Sequence, residues 1–542
     1  MIKLSGTRRK MANDNRIYLF DSTLRDGAQT QGVDFSVADK IAMASALDNL
    51  GIDYIEGGWP GANPTDDAFF LKPPILKRSK IAAFGMTRRP GRSVENDPGL
   101  AALFDVKPAA VCMVGKTWDY HVDVALEIPR EENIEIIGDS IAYGKNRVSE
   151  VLFDAEHFFD GYKENSEYAL SCVKAAYEAG ARWIVLCDTN GGTLPHEIDR
   201  IIREVSDYVP GTHLGIHCHN DTENAVANSL AAVNAGARQV QGTLNGLGER
   251  CGNANLTAII PNLMLKMGFH TGLGDNDLRQ LTHISRVLDE RLNRSPVRNA
   301  AYVGDSAFAH KGGLHVSAVE KDPRTYEHID PTLVGNARHI VVSDQSGRSN
   351  ILARFREIGL EIDSNHPRVP RLLKLVKERE FEGYAYDGAE ASFELLARRI
   401  LQQVPEYYTL HSFRVLDERR WNARGELVTV SEATVKVDVG NRNHMAVAEG
   451  NGPVNALDNA LGKVLLESYP ELEDMRLVDY KVRILTPGDG TGAVTRVMIE
   501  SADGQDRRWS CVGLSTNIID ASYNALQDSI SYKLYRDCAK AA

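Results

Sequence analysis

The feature that most constrains this chain is a unit that recurs: an amphipathic helical stretch, a glycine that stops it, and a short apolar strand. Ser36 and Asp39 form a capping signature, Val37, Ile41, Ala44, Leu47 and Leu50 keep helical spacing, Gly51 ends the helix, and residues 52–56 read as a strand. The same order returns at residues 168–179, Gly180 and 183–188, and again at 222–235, Gly236 and 239–242. Residues 17–21, 81–84, 110–113, 150–153 and 213–216 bring the strands to eight. Eight strands separated by helices favour a closed (β/α)8 TIM barrel. An open doubly wound sheet is the rival, because strand count alone does not close a sheet.

In a barrel the chemistry belongs at the carboxyl ends of the strands. Those ends carry Arg25 and Asp26, Glu56, Asp154 and Glu156, Asp188 and Thr189, His217, His219 and Asp221, and Asn245, Glu249 and Asn253. Barrel mouths are commonly polar, so any single member has an ordinary reading as a loop cap. Several carboxylates converging on paired histidines are harder to explain that way. In Gly215-Ile-His-Cys-His-Asn-Asp221, His217 and His219 leave a strand on one face and Cys218 on the other. The pair reads either as metal ligands or as two satisfied polar residues at a strand end, and no thiolates stand at zinc-knuckle spacing. The simplest cage is Asp26, His217 and His219, with open positions for substrate oxygens. Such a set suits Mg2+, Mn2+ or Zn2+, and spacing does not choose among them. Asn253 supplies a further carbonyl oxygen or is a turn residue beside glycine.

A chain of 542 residues exceeds one compact core. Its basic start lacks an apolar h-region, so residues 1–15 read as a disordered leader, and the barrel occupies 16–275. Strand and helix alternation then stops, and 276–391 form a helical linker with subdomains that contribute to the active site. Residues 276–292 read as helical, and 365–380 as a basic helical connector. Between them, Phe308-Ala-His-Lys-Gly-Gly-Leu-His315 pairs glycines with histidines. His315 suits acid–base work if this segment folds over the barrel mouth, and is otherwise incidental to a surface loop. Tyr326 reads equally as a packed aromatic.

Residues 392–542 form an α+β domain with an internal duplication, since 454–461 and 519–526 match at an offset of 65 residues. A glycine-bearing turn precedes each of these helices, Gly450-Asn451-Gly452-Pro453 in the first, so each amino terminus suits the carboxylate of a small ligand. Gly488-Asp-Gly-Thr-Gly492 reads as a hairpin turn. The net charge of −12 without long single-sign runs gives no footprint for nucleic acid, and no apolar run approaches a membrane span. Seven scattered cysteines argue against a disulfide framework and for the reducing cytoplasm.

Five motifs, Phe20-Asp-Ser-Thr-Leu-Arg-Asp-Gly27, His217-Cys-His-Asn-Asp221, Gly246-Leu-Gly-Glu-Arg-Cys-Gly-Asn253, Lys311-Gly-Gly-Leu-His315 and the tail starting Glu449-Gly-Asn-Gly-Pro453, carry a resemblance over nearly the whole chain. The sequence resembles the 2-isopropylmalate, homocitrate and citramalate synthases, which join the acetyl group of acetyl-CoA to a 2-oxo acid. The resemblance implies Asp26, His217 and His219 as ligands of a divalent metal, Mn2+ or Mg2+ before Zn2+, with Asn253 close to it. It implies Arg25, Glu156, His315 and Tyr326 as catalytic residues and Thr189 as a substrate contact. The tail resembles the regulatory domain that binds a branched-chain amino acid and helps form a homodimer, with Gly450, Asn451 and Gly452 at the effector. Gly57-Gly-Trp-Pro-Gly-Ala-Asn-Pro64 and Phe153-Asp-Ala-Glu-His-Phe-Phe-Asp160 look most like a bacterial citramalate synthase branch, implying pyruvate as acceptor and isoleucine as feedback inhibitor. Asp154 and His157 flank Glu156 where isopropylmalate synthases carry a shorter polar motif. The competing expectations are a 2-isopropylmalate synthase using 2-oxoisovalerate and answering to leucine, a lyase, and a non-catalytic amino-acid sensor on a dead barrel.

Overall fold

The structure is a computed structural model that describes residues 15–340, 348–357 and 366–537. The leader expected over 1–15 lies outside the described residues except for Asn15. Strands β1 (Tyr18–Asp21), β2 (Tyr54–Gly58), β3 (Lys80–Met86), β4 (Ala110–Lys116), β5 (Glu150–Glu156), β6 (Trp183–Asp188), β7 (Leu214–Cys218) and β8 (Gln239–Gly242) form a closed parallel barrel in chain order. Closure is made by β1 on β8, in a register that sets Tyr18 against Gln239 and Asp21 against Gly242. That ladder excludes the open sheet.

Period-two alternation gives the barrel its two faces. Phe20, Tyr54, Ala82, Cys112, Leu152, Trp183 and Val185 fill the interior as one buried cluster. Leu19, Ile55, Met113, Phe153, Ile184 and Val240 point outward into the core shared with the surrounding helices. Trp183 is buried without an unsatisfied polar tip, because its Nε1 donates to the Tyr54 hydroxyl at 3.1 Å and that hydroxyl donates to Glu150 at 2.6 Å. The alternation continues toward the mouth, so Glu56 follows Tyr54 inward, Asp154 follows Leu152, and His217 and Gln241 face each other across β7 and β8. Strand periodicity thus carries the barrel's apolar plug into a polar layer.

Helix α1 (Val37–Leu50) begins with the expected capping box between Ser36 and Asp39 and ends at Gly51, whose φ of 101° lies in the left-handed region. Helices α2 (Ser166–Glu178) and α3 (Ala225–Ala235) shift by a few residues from the sequence reading. Residues 276–292 break into Asp275–Leu278 and Leu281–Arg291.

The chain divides into two compact units, residues 1–308 with 329–337, and 309–328 with 338–542. In the second, α4 (Gly313–Lys321) and α5 (Arg368–Glu382) precede a tail built twice from the same parts. Strands β9 (Thr409–Trp421), β10 (Leu427–Val439) and β11 (Arg442–Gly450) form an antiparallel sheet followed by α6 (Pro453–Leu465). Strands β12 (Arg476–Ile484), β13 (Thr495–Ala502) and β14 (Arg508–Ser515) repeat it before α7 (Ile518–Arg536). The 65-residue offset is a packing equivalence, since Ala456, Leu457, Ala460 and Leu461 are buried in α6 where Ala521, Ser522, Ala525 and Leu526 are buried in α7. Residues 488–492 form the turn that joins antiparallel β12 and β13. Among the described residues no helix is long and apolar enough to cross a membrane.

Candidate active site

The loop after β1 is folded by its own side chains. The Asp21 carboxylate accepts from the backbone N–H and hydroxyl of Thr23, each at 2.9 Å, and the N–H groups of Arg25 and Gly27 donate to the Ser22 carbonyl. This turn sets Asp26, 3% exposed, over the barrel mouth. From the other side β7 brings His217, and the chain runs on to His219. The Ala254 N–H donates to the Cys218 carbonyl at 2.9 Å and the Asn220 N–H to the Gly252 carbonyl at 2.8 Å, so Asn253 lies beside His219.

Asp26 Oδ2 is 3.5 Å from His217 Nε2 and 3.9 Å from His219 Nε2, and the imidazole centroids are 5.2 Å apart. Burial opposes charge on Asp26, but Arg25, the contact with His217 and the field of both imidazoles outweigh it and hold the carboxyl well below the usual range. Burial also opposes charge on His217, yet Asp26 and Asp154 reverse the effect and raise it to about 9. His219, lowered by burial and by its neighbour His217, falls to about 4.

Asp26 Oδ1, His219 Nδ1 and Asn253 Oδ1 are buried without hydrogen-bond partners among the described residues. Each such group costs about 1–3 kcal/mol when left unpaired. The Asn253 amide nitrogen already donates to the Leu247 carbonyl at 3.2 Å, which leaves its oxygen for the cluster. Asp26, His217 and His219 offer ligand atoms that all lie within 4.8 Å of one another, and with the unpaired Asn253 oxygen beside His219 they form a set that fits a divalent cation.

Beside this cluster, Arg25 Nε donates to Glu56 at 2.8 Å and its guanidinium carbon lies 3.9 Å over the Phe84 ring. Burial opposes the Arg25 charge, while Glu56 and Asp26 more than compensate and keep it protonated. Glu56 is itself fully buried and also accepts from the Ser22 hydroxyl. Glu156, the last residue of β5, pairs with Lys116, the last of β4, and both line a cavity of about 490 Å3 with Trp59, Met86 and Arg88. Thr189 Oγ1 accepts from the His157 backbone N–H at 2.9 Å. His157 holds a left-handed φ of 54°, secured by its ring contact with Asp160 at 3.1 Å and by Trp118 and His121.

Three models match the chain: HMGL-like over residues 16–287, the homocitrate synthase post-HMGL domain-like family over 302–380, and the LeuA allosteric (dimerisation) domain over 387–534. The (R)-citramalate synthase of Geobacter sulfurreducens is 54% identical, aligned over 96% of this chain and 98% of that protein. That of Aquifex aeolicus is 52% identical over the same shares. The chain belongs to the HMGL-like family, in its citramalate synthase branch. A probable 2-isopropylmalate synthase of Methanopyrus kandleri stands further off, at 33% identity over 94% of this chain and 97% of that protein.

Within this citramalate synthase branch member, the remaining polar ring sorts into fasteners. Asp188 accepts from the Thr193 hydroxyl at 2.8 Å, Asp221 pairs with Arg250 at 2.7 Å, and the Asn245 amide donates to the Ser285 carbonyl at 3.0 Å. The Glu249 carboxylate lies 3.8 Å from Arg250. Two residues beside the cluster and Glu156 were not read as site residues. Lys116 was missed because β4 runs two residues beyond its apolar run, which ends at Val114. Gln241 was missed although two glutamines alternating in a barrel strand were a visible signal.

His315 and Tyr326 belong to the second compact unit, with ring centroids 4.1 Å apart in a stacked arrangement. Gly312 and Gly313 open α4 instead of a surface loop, which puts His315 in its first turn. Nearby, Glu327 binds His310 at 3.1 Å and Arg338 at 2.6 Å. In the tail, Gly450 ends β11 and Gly452 occupies the N-cap of α6 without a side-chain cap. The Asn451 N–H donates to the Asn455 side chain at 3.0 Å. The duplicate is different, because the Asn517 side chain caps α7 through the N–H groups of Ile519 and Asp520.

Proposed function

We propose that this enzyme condenses acetyl-CoA with pyruvate and water to give citramalate and CoA, feeding isoleucine biosynthesis in the cytoplasm. The observation that carries the reading is the set of buried, unpaired ligand atoms at Asp26, His219 and Asn253 beside a permanently charged Arg25. In this reading residues 16–275 are catalytic, 276–391 link and complete the site, and 392–542 regulate and dimerise, in keeping with the LeuA allosteric (dimerisation) domain match.

Asp26, His217, His219 and Asn253 would hold one divalent ion, Mn2+ or Mg2+ before Zn2+. When bound, that ion supplies Lewis-acid charge toward the keto and carboxylate oxygens of the 2-oxo acid. Arg25 adds a fixed cation where oxyanion character grows on the former keto oxygen, an effect worth about 3 kcal/mol. Its Nε is engaged by Glu56 and its plane rests on Phe84, so it is oriented before the substrate arrives. Thr189 Oγ1 already accepts from His157, so its hydroxyl hydrogen is free to donate to the substrate carboxylate. His315, which the motif resemblance assigns as the base along with Tyr326, would take a proton from the acetyl methyl group, and Glu156 is the remaining catalytic residue that the resemblance implies. The resulting carbon nucleophile forms the new bond to the keto carbon, whose oxygen takes up a proton. Water then cleaves the thioester and releases CoA, which makes the condensation irreversible.

The effector would be isoleucine, with its carboxylate at the uncapped amino end of α6 near Gly450, Asn451 and Gly452. To inhibit, it must prefer one arrangement of the homodimer over another. A CoA-release assay with acetyl-CoA against pyruvate, 2-oxoisovalerate, 2-oxobutyrate and 2-oxoglutarate, with and without chelator, tests the assignment. Pyruvate should have the highest kcat/KM and chelator should abolish turnover. Preference for 2-oxoisovalerate would make the chain a 2-isopropylmalate synthase instead.

A further inference from the structure

His217 reaches Asp26 through Nε2, and what fixes its other nitrogen is a polar relay across the barrel interior. His217 Nδ1 lies 2.8 Å from Gln241 Oε1, and the two residues are register partners on β7 and β8. Gln241 Nε2 in turn donates to Asp154 Oδ1 at 3.0 Å, across the barrel on β5. Cys112 Sγ on β4 also lies within 4.8 Å of an Asp154 carboxylate oxygen. Gln241 is fully buried and Asp154 is 3% exposed, so the chain runs where water cannot substitute for either partner.

The chemistry of the relay runs in one direction. A carboxylate accepts and does not donate, so the Gln241 amide turns its NH2 to Asp154 and its oxygen to His217. An amide oxygen accepts only, so His217 carries a hydrogen on Nδ1, and Nε2, which faces Asp26, is the nitrogen left to give its lone pair to a cation. Gln239, two residues earlier on the same strand and also buried, has neither amide atom paired among the described residues. The engagement of Gln241 is therefore not a general property of glutamines in this barrel.

We propose that Gln241, oriented by Asp154, is a positioning residue that selects the metal-binding tautomer of His217 and aims its Nε2 at the divalent cation. The inference rests on the reading of Asp26, His217 and His219 as metal ligands. Hydrogen-bonding partners of metal-bound histidines typically change metal affinity by about 10- to 100-fold when removed.

The test is a Co2+ titration of the metal-free full-length protein, followed by binding and by the visible absorption of the bound ion. Gln241→Leu should weaken Co2+ binding by about 10- to 100-fold and shift the absorption band, because the imidazole loses its fixed tautomer and direction. Asp154→Asn keeps an oxygen acceptor for Gln241 Nε2 and should stay within about threefold of the native affinity, whereas Asp154→Leu should match Gln241→Leu, and the band shift, which reports a changed imidazole coordination, is the readout that a mere packing role would not move. Should Gln241→Leu not fold, the near-isosteric Gln241→Met takes its place with the same expectation. Native affinity and spectrum in the Gln241 variant, or Asp154→Asn as weak as Asp154→Leu, would overturn the proposal. His217→Ala separates the two layers of argument. If it too binds Co2+ normally, the metal-site reading fails; if it alone loses the ion, only the relay fails.

Discussion

Asp26 follows the first strand of the barrel and His217 lies in the seventh, and closure of the sheet brings Asp26 Oδ2 to 3.5 Å from His217 Nε2. The barrel exists, in functional terms, to make that approach repeatable, because β8 pairs with both β7 and β1 and so locks the loop after β1 against the histidine strand. Replacing Asp26 by Asn keeps the volume and removes the charge that two imidazoles and Arg25 surround. Asp26→Asn should weaken Mn2+ binding by at least about tenfold, since a neutral oxygen is a poorer ligand for a hard cation. Isothermal titration of the metal-free protein measures this directly.

Arg25 is held by geometry that a lysine cannot reproduce, one nitrogen on Glu56 and a planar face on Phe84. Arg25→Lys should lower kcat by about 10²- to 10³-fold, the range expected when a preorganised donor to a developing oxyanion is lost. The KM for acetyl-CoA should change little. Steady-state kinetics at saturating metal separate the two parameters.

Lys40 is a buried cation, 3% exposed, whose ammonium donates to the Gly57 carbonyl at 3.0 Å and to Asp66. Asp66 also accepts from the Trp59 N–H at 2.8 Å, so this pair fastens the loop that carries Trp59 into the cavity. Lys40→Met leaves Asp66 buried without its counter-charge and should destabilise the barrel by about 3–5 kcal/mol. Urea unfolding, followed by a signal from the barrel, gives the number.

These features were not equally legible in the sequence. The strands were, because stretches such as Ile17 to Asp21 and Trp183 to Asp188 are continuous apolar runs that end in polar loops, and because glycines such as Gly51 stop the helices between them. Their lengths were not. The backbone of β4 stays paired to β5 through Gly115 and Lys116 after the apolar run has ended, and this puts Lys116 against Glu156. The partition of the middle segment was hidden for a different reason. Residues 309–328 group with the second unit while 329–337 return to the first, and such a crossing depends on contacts distant in sequence that local periodicity does not encode. The roles of His315 and Tyr326 therefore rest on motif resemblance alone.

In the tail, the N-cap position of α6 has open space, since a Cβ added at Gly452 meets nothing within 4 Å, and its φ of 179° suits any residue. Gly452→Asp would place a carboxylate on the free N–H groups of the first turn, as Asn517 does for α7. It should stabilise the helix by about 1 kcal/mol and, by occupying the position assigned to the effector carboxylate, raise the isoleucine concentration for half inhibition about tenfold or more. Inhibition curves at fixed acetyl-CoA and pyruvate provide the readout.

In the proposed site one cation is shared by side chains from opposite ends of the barrel sequence. Anomalous diffraction at the manganese edge, from crystals grown with Mn2+, tests it most directly. The prediction is a single peak about 2.0–2.3 Å from Asp26 oxygen and from His217 and His219 nitrogens. A fully active protein whose manganese peak lies away from those three side chains would contradict it.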